Sequence, residues 1–342
     1  AMKANPMPAV VEHLVGLVDG LDVASAGELR VALDAGVDPK DVSFAGPGKR
    51  DEELRYAAET GVTINLESEG EMRRLARIGE AVGRRPPVAI RVNPPFELKT
   101  SGMKMGGRPS QFGVDAERVP SMLGELASLE LEFHGFHVFS GAQNLRAKTI
   151  VDSMSKTVGL VIELAARLDL DVEFVNLGGG LGIPYFPKER PVDLPAIADA
   201  AHSAVATLQT ALGDVEVIME LGRYLVGEAG IYVTRVIDVK ESRGQRFAVC
   251  DGGLHHHLAA SGNFGQVIRK NYPVAAVTLT EAHEAISVVG PLCTPLDLLG
   301  DRMMLSRLEA GSLVAVLQSG AYGKTASPEA FLSHPGCAEI LV

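Results

Sequence analysis

Residues 171–185 read DVEFVNLGGGLGIPY. An apolar run, Val172–Leu177, stops on three consecutive glycines, and Pro184 sits where a helix would otherwise open. The run reads as a strand and the glycines as the loop at its end. Backbone N–H groups bared by Gly178, Gly179 and Gly180 suit either a tight turn or a cradle for a phosphate. Neither common nucleotide loop fits. G-x-G-x-x-G needs glycine where Ile183 stands, and no Gly-Lys-Ser/Thr follows.

The same texture extends in both directions. Further strand candidates are Leu21–Ala24, Val42–Ala45, Val62–Leu66, Val88–Asn93, Phe133–Phe139 and Val215–Leu221. Between them lie helical spacings such as Ile150, Met154, Val161, Ala165 and Leu168, or Leu194, Ile197, Ala201, Leu208 and Leu212. Gly36 and Gly61 stand where left-handed helix ends belong. If the segment ending at Lys3 finishes one more strand, strand and helix alternate about eight times over ~220 residues, as a TIM barrel requires. A doubly wound open sheet is the competing arrangement. After about Tyr224 the pattern turns mostly to strands: Ile231–Val239, Arg246–Cys250, Ile286–Val289 and Ser312–Gln318.

The totals set limits. The chain has 342 residues with a formal net charge of −11, which argues against a nucleic-acid partner. No apolar run is long enough to span a bilayer. Three distant cysteines, Cys250, Cys293 and Cys337, form no disulfide framework and suit a reducing cytoplasm. Consecutive His255, His256 and His257 point different ways on a strand or a helix, so no metal site is expected.

Barrel chemistry gathers at the C-terminal ends of the strands. Lys3, Asp22, Arg91, Asn93, His137, Ser140, Glu220, Gly222 and Arg223 all fall at or near such ends. Glu220 suits either a surface ion pair or a hydrogen bond to a protonated heterocyclic nitrogen. Cys293, in GPLCTPLD (Gly290–Asp297), reads equally as a small buried residue or as a reactive thiol.

Taken in order, the motifs resemble the fold-type III pyridoxal-phosphate decarboxylases, the family of diaminopimelate and ornithine decarboxylases. AMKAN (Ala1–Asn5) is similar to Y-A-x-K-A-N, and DVASAGEL (Asp22–Leu29) to D-V-x-S-x-G-E-L. FHVFSG (Phe136–Gly141) is similar to F-H-V-G-S-G, NLGGGLG (Asn176–Gly182) to D-x-G-G-G-F, and ELGRY (Glu220–Tyr224) to E-P-G-R-Y. GPLCTPLD matches G-P-x-C-x-x-x-D, and GAYG (Gly320–Gly323) matches G-A-Y. The similarity runs the whole length.

The resemblance implies an alanine-racemase-like (β/α)8 barrel over 1–224, its first strand truncated on the N-terminal side, followed by a mostly β domain over 225–342. It implies pyridoxal 5'-phosphate as cofactor and a homodimer with shared active sites. Lys3 is then the Schiff-base lysine, through which decarboxylation proceeds by a quinonoid intermediate, and His137 lies over the cofactor ring. Asp22 and Arg91 join the cofactor site. Ser140, Gly178, Gly179, Gly180, Gly222, Arg223 and Tyr322 hold the phosphate. Glu220 pairs with the ring nitrogen, and Cys293 is the proton donor. Asp251, Cys293, Thr294 and Asp297 approach the substrate.

The expected reaction is decarboxylation of an L- or meso-amino acid, as in diaminopimelate decarboxylase. A pyridoxal-phosphate racemase and a non-catalytic relative are the alternatives. A carboxylate at 220 disfavours the racemase, whose family pairs the ring nitrogen with arginine. The presence of Lys3 and the glycine loop disfavours the non-catalytic relative. Thr294 and Pro295 replace the acid that follows the cysteine in the diaminopimelate and ornithine enzymes. Together with DGGLHHHLAASGNFG (Asp251–Gly265), this wording is closer to the decarboxylases of exosortase and exopolysaccharide gene clusters, or to those acting on carrier-linked glutamate.

Overall fold

The computed structural model describes residues 1–97, 103–104, 106–168, 170–264, 266 and 268–342. Gly265, which closes the three-histidine stretch, lies outside them. The chain forms two units: Ala1–Gly182 with Pro191–Leu221, and Ile183–Arg190 with Gly222–Val342. The boundary read from the sequence, between 224 and 225, therefore falls just past the structural one. Residues 183–190 belong with the later part of the chain.

In the first unit seven strands run parallel and pair in chain order. They are β1 (Leu21–Val23), β2 (Val42–Phe44), β3 (Thr63–Leu66), β4 (Pro87–Asn93), β5 (Glu132–His137), β6 (Phe174–Gly179) and β7 (Glu216–Glu220). A doubly wound sheet reverses its strand order at a switch point. This one never reverses, and the fold is the TIM barrel, followed by a β domain.

Helices between the strands start and stop where local chemistry directs. The Ser25 hydroxyl accepts from Glu28 N–H, the Ser68 hydroxyl from Glu71 N–H and the Asp193 carboxylate from Ala196 N–H. Gly61 and Gly83 end their helices in the left-handed region.

One expected element takes another form. Residues 1–3 do not finish a strand. Met2–Ala4 is a 3-10 turn, closed by Ala4 N–H to Ala1 O at 3.3 Å and Asn5 N–H to Met2 O at 2.9 Å. Its residues are unbranched at Cβ and favour strands weakly. The Ala1 nitrogen donates to Leu221 O at 2.9 Å, just beyond β7, and the turn packs against β1. The turn holding Lys3 is therefore tied both to β1 and to the residue that follows β7, at the C-terminal rim.

Paired residues, and residues two apart on a strand, share one face of a sheet. The register puts Asp22, Ser43, Asn65, Arg91, His137 and Asn176 on one face. Each of these except Ser43 is buried. The opposite face carries Val23, Phe44, Ile64, Leu66, Ile90 and Phe136, sealed beneath the helices. Apolar packing thus holds the strands, and a ring of polar side chains remains inside.

The second unit contains a six-stranded sheet: β8 (Tyr232–Ser242), β9 (Gln245–Cys250), β10 (Val274–Ala276), β11 (His283–Val289), β12 (Leu298–Ser306) and β13 (Leu313–Val316). Its spatial order is β10-β13-β8-β9-β11-β12, antiparallel except where β9 meets β11. Val236, Ala248, Cys250, Ile286, Val288, Leu299 and Val314 fill its core. Burial, with Asp251 next, pushes the Cys250 thiol up to about 12. The three histidines lie in turns. His256 Nδ1 is 3.1 Å from the Tyr232 hydroxyl, and His257 Nε2 is 2.9 Å from Ser319 Oγ.

Candidate active site

Glu220 ends β7 and is buried. Asn176 Nδ2 donates to Glu220 Oε1 at 2.8 Å, and His137 Nε2 lies 3.2 Å from the same oxygen. Burial pulls the Glu220 carboxyl up, but the attraction of His137 and Lys3 outweighs it and holds the group well below the usual carboxylate range. Asp22 goes the other way. Burial first, and the Glu220 charge second, push its carboxyl up. Asp22 accepts a hydrogen bond from the Ser43 hydroxyl at 2.9 Å. The site thus pushes two neighbouring carboxyls in opposite directions, one towards its charged form and one towards its protonated form. The rim therefore brings together Lys3, Asp22, His137 and Glu220. Lys3 Nζ also lies 5.4 Å from the centre of the Phe139 ring.

The glycine loop borders this cluster. Gly178 and Gly180 have φ of +68° and +96°, which favours glycine. At Gly179 a Cβ would run into the Glu220 carbonyl, so only glycine lets β6 close on β7 there. With Ser140, Gly141, Asn144, Ser153 and Met219, these glycines line a pocket. Ser140 Oγ is buried and makes no hydrogen bond among the described residues. A buried hydroxyl without a partner, facing turned glycine backbone, fits an oxygen-rich anion such as a phosphoryl group.

Arg91 sits within a separate part of the rim. Its Nη1 donates to Glu67 Oε1 at 2.8 Å, and its guanidinium lies 4.8 Å from the Phe112 ring centre. Glu67 also accepts Gly46 N–H at 2.7 Å and Gly113 N–H at 2.6 Å. Burial raises its carboxyl, but Arg91 and the backbone donors bring it below its ordinary value. Glu67 thus ties Arg91 to two loops.

The remaining candidates lie in the second unit. Arg223 follows Gly222 and is flanked by two rings, 4.6 Å from the Tyr322 centre and 5.4 Å from that of Tyr185, whose hydroxyl accepts from Arg223 Nη1 at 2.7 Å. Stacking of this kind fixes a guanidinium while leaving other N–H groups for an anion.

Cys293 is exposed. Thr294 Oγ1 accepts Leu296 N–H at 3.3 Å within the same turn. Asp251 Oδ1 accepts from the Thr234 hydroxyl at 2.7 Å and Arg235 N–H at 2.9 Å. Asp297, expected beside the substrate, is buried, and its oxygens accept Leu254 N–H at 2.6 Å and Leu292 N–H at 2.9 Å. It shapes the cysteine loop from beneath.

The sequence reading did not single out Asn176, Glu67 or Tyr185 as site residues. Asn176 carries a faint signal as a polar side chain inside the apolar run FVNL, and Glu67 as a charge directly after a strand. Nothing in the linear pattern marks Tyr185.

Comparison with known proteins identifies the family. Residues 1–227 match the pyridoxal-binding domain of pyridoxal-dependent decarboxylases. The chain is 40% identical over 330 residues to the L-glutamyl-[BtrI acyl-carrier protein] decarboxylase of Niallia circulans, covering 94% of this chain and 77% of that protein. It is 31% identical to the diaminopimelate decarboxylase of Zymomonas mobilis, covering 100% of this chain and 79% of that one. A crystal structure of diaminopimelate decarboxylase from Helicobacter pylori complexed with L-lysine superposes with a TM-score of 0.85 at 28% identity, over 96% of this chain and 81% of the other. The chain belongs to the pyridoxal-dependent decarboxylase family and is an enzyme that uses pyridoxal phosphate to decarboxylate an amino acid.

Proposed function

We propose that the substrate is an α-amino acid whose far end is a neutral acyl linkage, of the kind formed by L-glutamate carried on an acyl-carrier protein. The observation that carries this is the cysteine loop. Thr294 and Pro295 stand where a distal ammonium would need an acid, and Asp297 gives both oxygens to the backbone. The 40% identity to a glutamyl-carrier decarboxylase supports the same reading.

Bound pyridoxal phosphate supplies an electron sink for the pair left behind when carbon dioxide departs. The chain's own residues do the rest. Lys3 tethers the cofactor through its amine and is a proton carrier at the rim. Ser140 and Gly178–Gly180 bind phosphoryl oxygens, and in the second unit Arg223, fixed against Tyr322 and Tyr185, offers N–H groups suited to an anion. Glu220 remains ionised against the ring nitrogen and keeps its proton in place, a charge-assisted contact in a dry setting. Burial and the Glu220 charge both favour the protonated form of Asp22, which eases repulsion beside Glu220. His137 covers the ring and excludes water, and Arg91 is held for the cofactor site by Glu67. Cys293 delivers a proton to Cα. We place the enzyme in the reducing cytoplasm as a homodimer, in which Asp251 and the Cys293 loop, shaped by Asp297, serve the partner's site.

Carbon dioxide release tests the reading directly. The substrates are L-glutamyl carrier protein, free L-glutamate, meso-diaminopimelate, L-ornithine and L-lysine. The carrier-linked substrate should give the highest kcat/KM. Faster turnover of meso-diaminopimelate would overturn the assignment.

A further inference from the structure

Asn176 lies on β6 among the polar side chains of the barrel's inner face and is buried. Its two ends do different things. Nδ2 donates to Glu220 Oε1 at 2.8 Å, and Oδ1 accepts Gly178 N–H at 2.8 Å. Gly178 can only donate, and this fixes which end of the amide is oxygen. The other end must then be the amine, and it is aimed at the carboxylate.

We infer that Asn176 is a positioning residue that locks Glu220 as an anion in one orientation and joins it mechanically to the glycine loop. The inference rests on the reading that Glu220 faces the cofactor ring and the glycines its phosphate. It adds that these two grips on opposite ends of the cofactor are coupled through one amide. An amide is suited to this because it donates without titrating. A carboxyl at 176 could accept from Gly178 but could donate to Glu220 only while protonated. The resembling D-x-G-G-G-F motif carries such an acid, and this chain departs from it. Glu220 is faced by Asn176 from β6, by His137 from β5, and by the charges of Lys3 from the Met2–Ala4 turn and Asp22 from β1. The Asn176 contact also reaches the loop backbone, through Gly178 N–H.

The experiment uses holoenzyme and reads two quantities that require no substrate. One is the rate at which pyridoxal phosphate is lost on dilution, and the other is the visible spectrum of the bound cofactor, both between roughly pH 6 and pH 9. Asn176→Leu removes both bonds and should speed cofactor loss about tenfold or more at every pH, the scale of one charge-assisted hydrogen bond. Asn176→Asp keeps the shape. It should approach wild type only as the introduced carboxyl takes up a proton towards the acid end, and diverge about tenfold as pH rises and two carboxylates come to face each other. Adding Glu220→Gln to Asn176→Asp should abolish that pH dependence, because the new amide can donate.

If Asn176→Asp follows wild type across the whole range, the inference is overturned. This near-isosteric variant carries the test even if Asn176→Leu fails to fold. Glu220→Gln alone separates the two levels. A silent Glu220→Gln spectrum defeats the assignment of Glu220 to the ring, and this inference with it. An altered Glu220→Gln spectrum beside a pH-independent Asn176→Asp defeats the coupling alone.

Discussion

Both the barrel rim and the cysteine loop bury carboxylates, but they partner them differently. At the rim, Glu220 meets His137, an amide and the charge of Lys3, and Glu67 meets Arg91 as well as backbone. In the loop, the hydrogen bonds that the Asp297 carboxylate accepts among the described residues come from main-chain N–H groups, those of Leu254 and Leu292. The first arrangement sets protonation states, because each group's charge depends on its neighbours' charges. The second sets a path for the chain, because backbone donors never titrate. Acidic residues in a site can thus be sorted by what they hold.

Lys3→Ala should strain this contrast most. If the rim performs chemistry, the variant should lose turnover by about 10³-fold or more, beyond the middle of the range for one acid–base group. It should also lose the visible absorbance of bound cofactor while melting near wild type. Retained absorbance would remove Lys3 from the rim's chemistry.

Asp297→Ala should show the opposite profile. It leaves two buried N–H groups unpaired, so the second unit should lose about 2–4 kcal/mol in urea unfolding, the scale for hydrogen bonds to a charged group. Cofactor absorbance should persist. An unchanged unfolding midpoint with lost turnover would make Asp297 a substrate contact after all.

A smaller effect sharpens the comparison through pH. Burial pushes His257, in the second unit, from 6.5 down to about 4. A base whose folded pKa is depressed contributes stability that is fully present above 6.5 and is lost as pH falls towards 4. The second unit should therefore weaken by about 2 kcal/mol between roughly pH 7 and pH 5. Glu67, also depressed, should begin to act only below the ordinary carboxylate range. His257→Gln should flatten the urea midpoint over that interval, and an unflattened profile would place the acid sensitivity elsewhere.

Much of the barrel was legible because its strands are short apolar runs bounded by glycines, helix caps and polar ends, and because pairing follows chain order. Lys3, Asp22, His137 and Glu220 were legible as a rim because strand ends converge in this fold. The β domain was harder. The strand Leu298–Ser306 reads LLGDRMMLS, rich in Leu and Met, which are not branched at Cβ, and broken by Gly-Asp-Arg, so its composition hides it. Val274–Ala276 is too short to show a period. Asn176 escaped notice because its partner lies across a strand pair whose register shifts at Glu220, which no linear spacing reveals. Asp297 enters as a substrate-side residue through the family resemblance, and its backbone hydrogen bonds to Leu254 and Leu292 are not legible in the sequence. Tyr185 belongs to the 183–190 excursion, and that exchange between units leaves no compositional mark.

The sealed thiol in the β-domain core has a practical corollary. Cys250 is shut away among apolar neighbours, while Cys293 is exposed and Cys337 half-exposed. An alkylating probe applied to the intact protein will modify the two outer sulfurs first and reach the inner one only when the sheet parts. The chain therefore carries its own clock for spontaneous opening, read by counting labels against time.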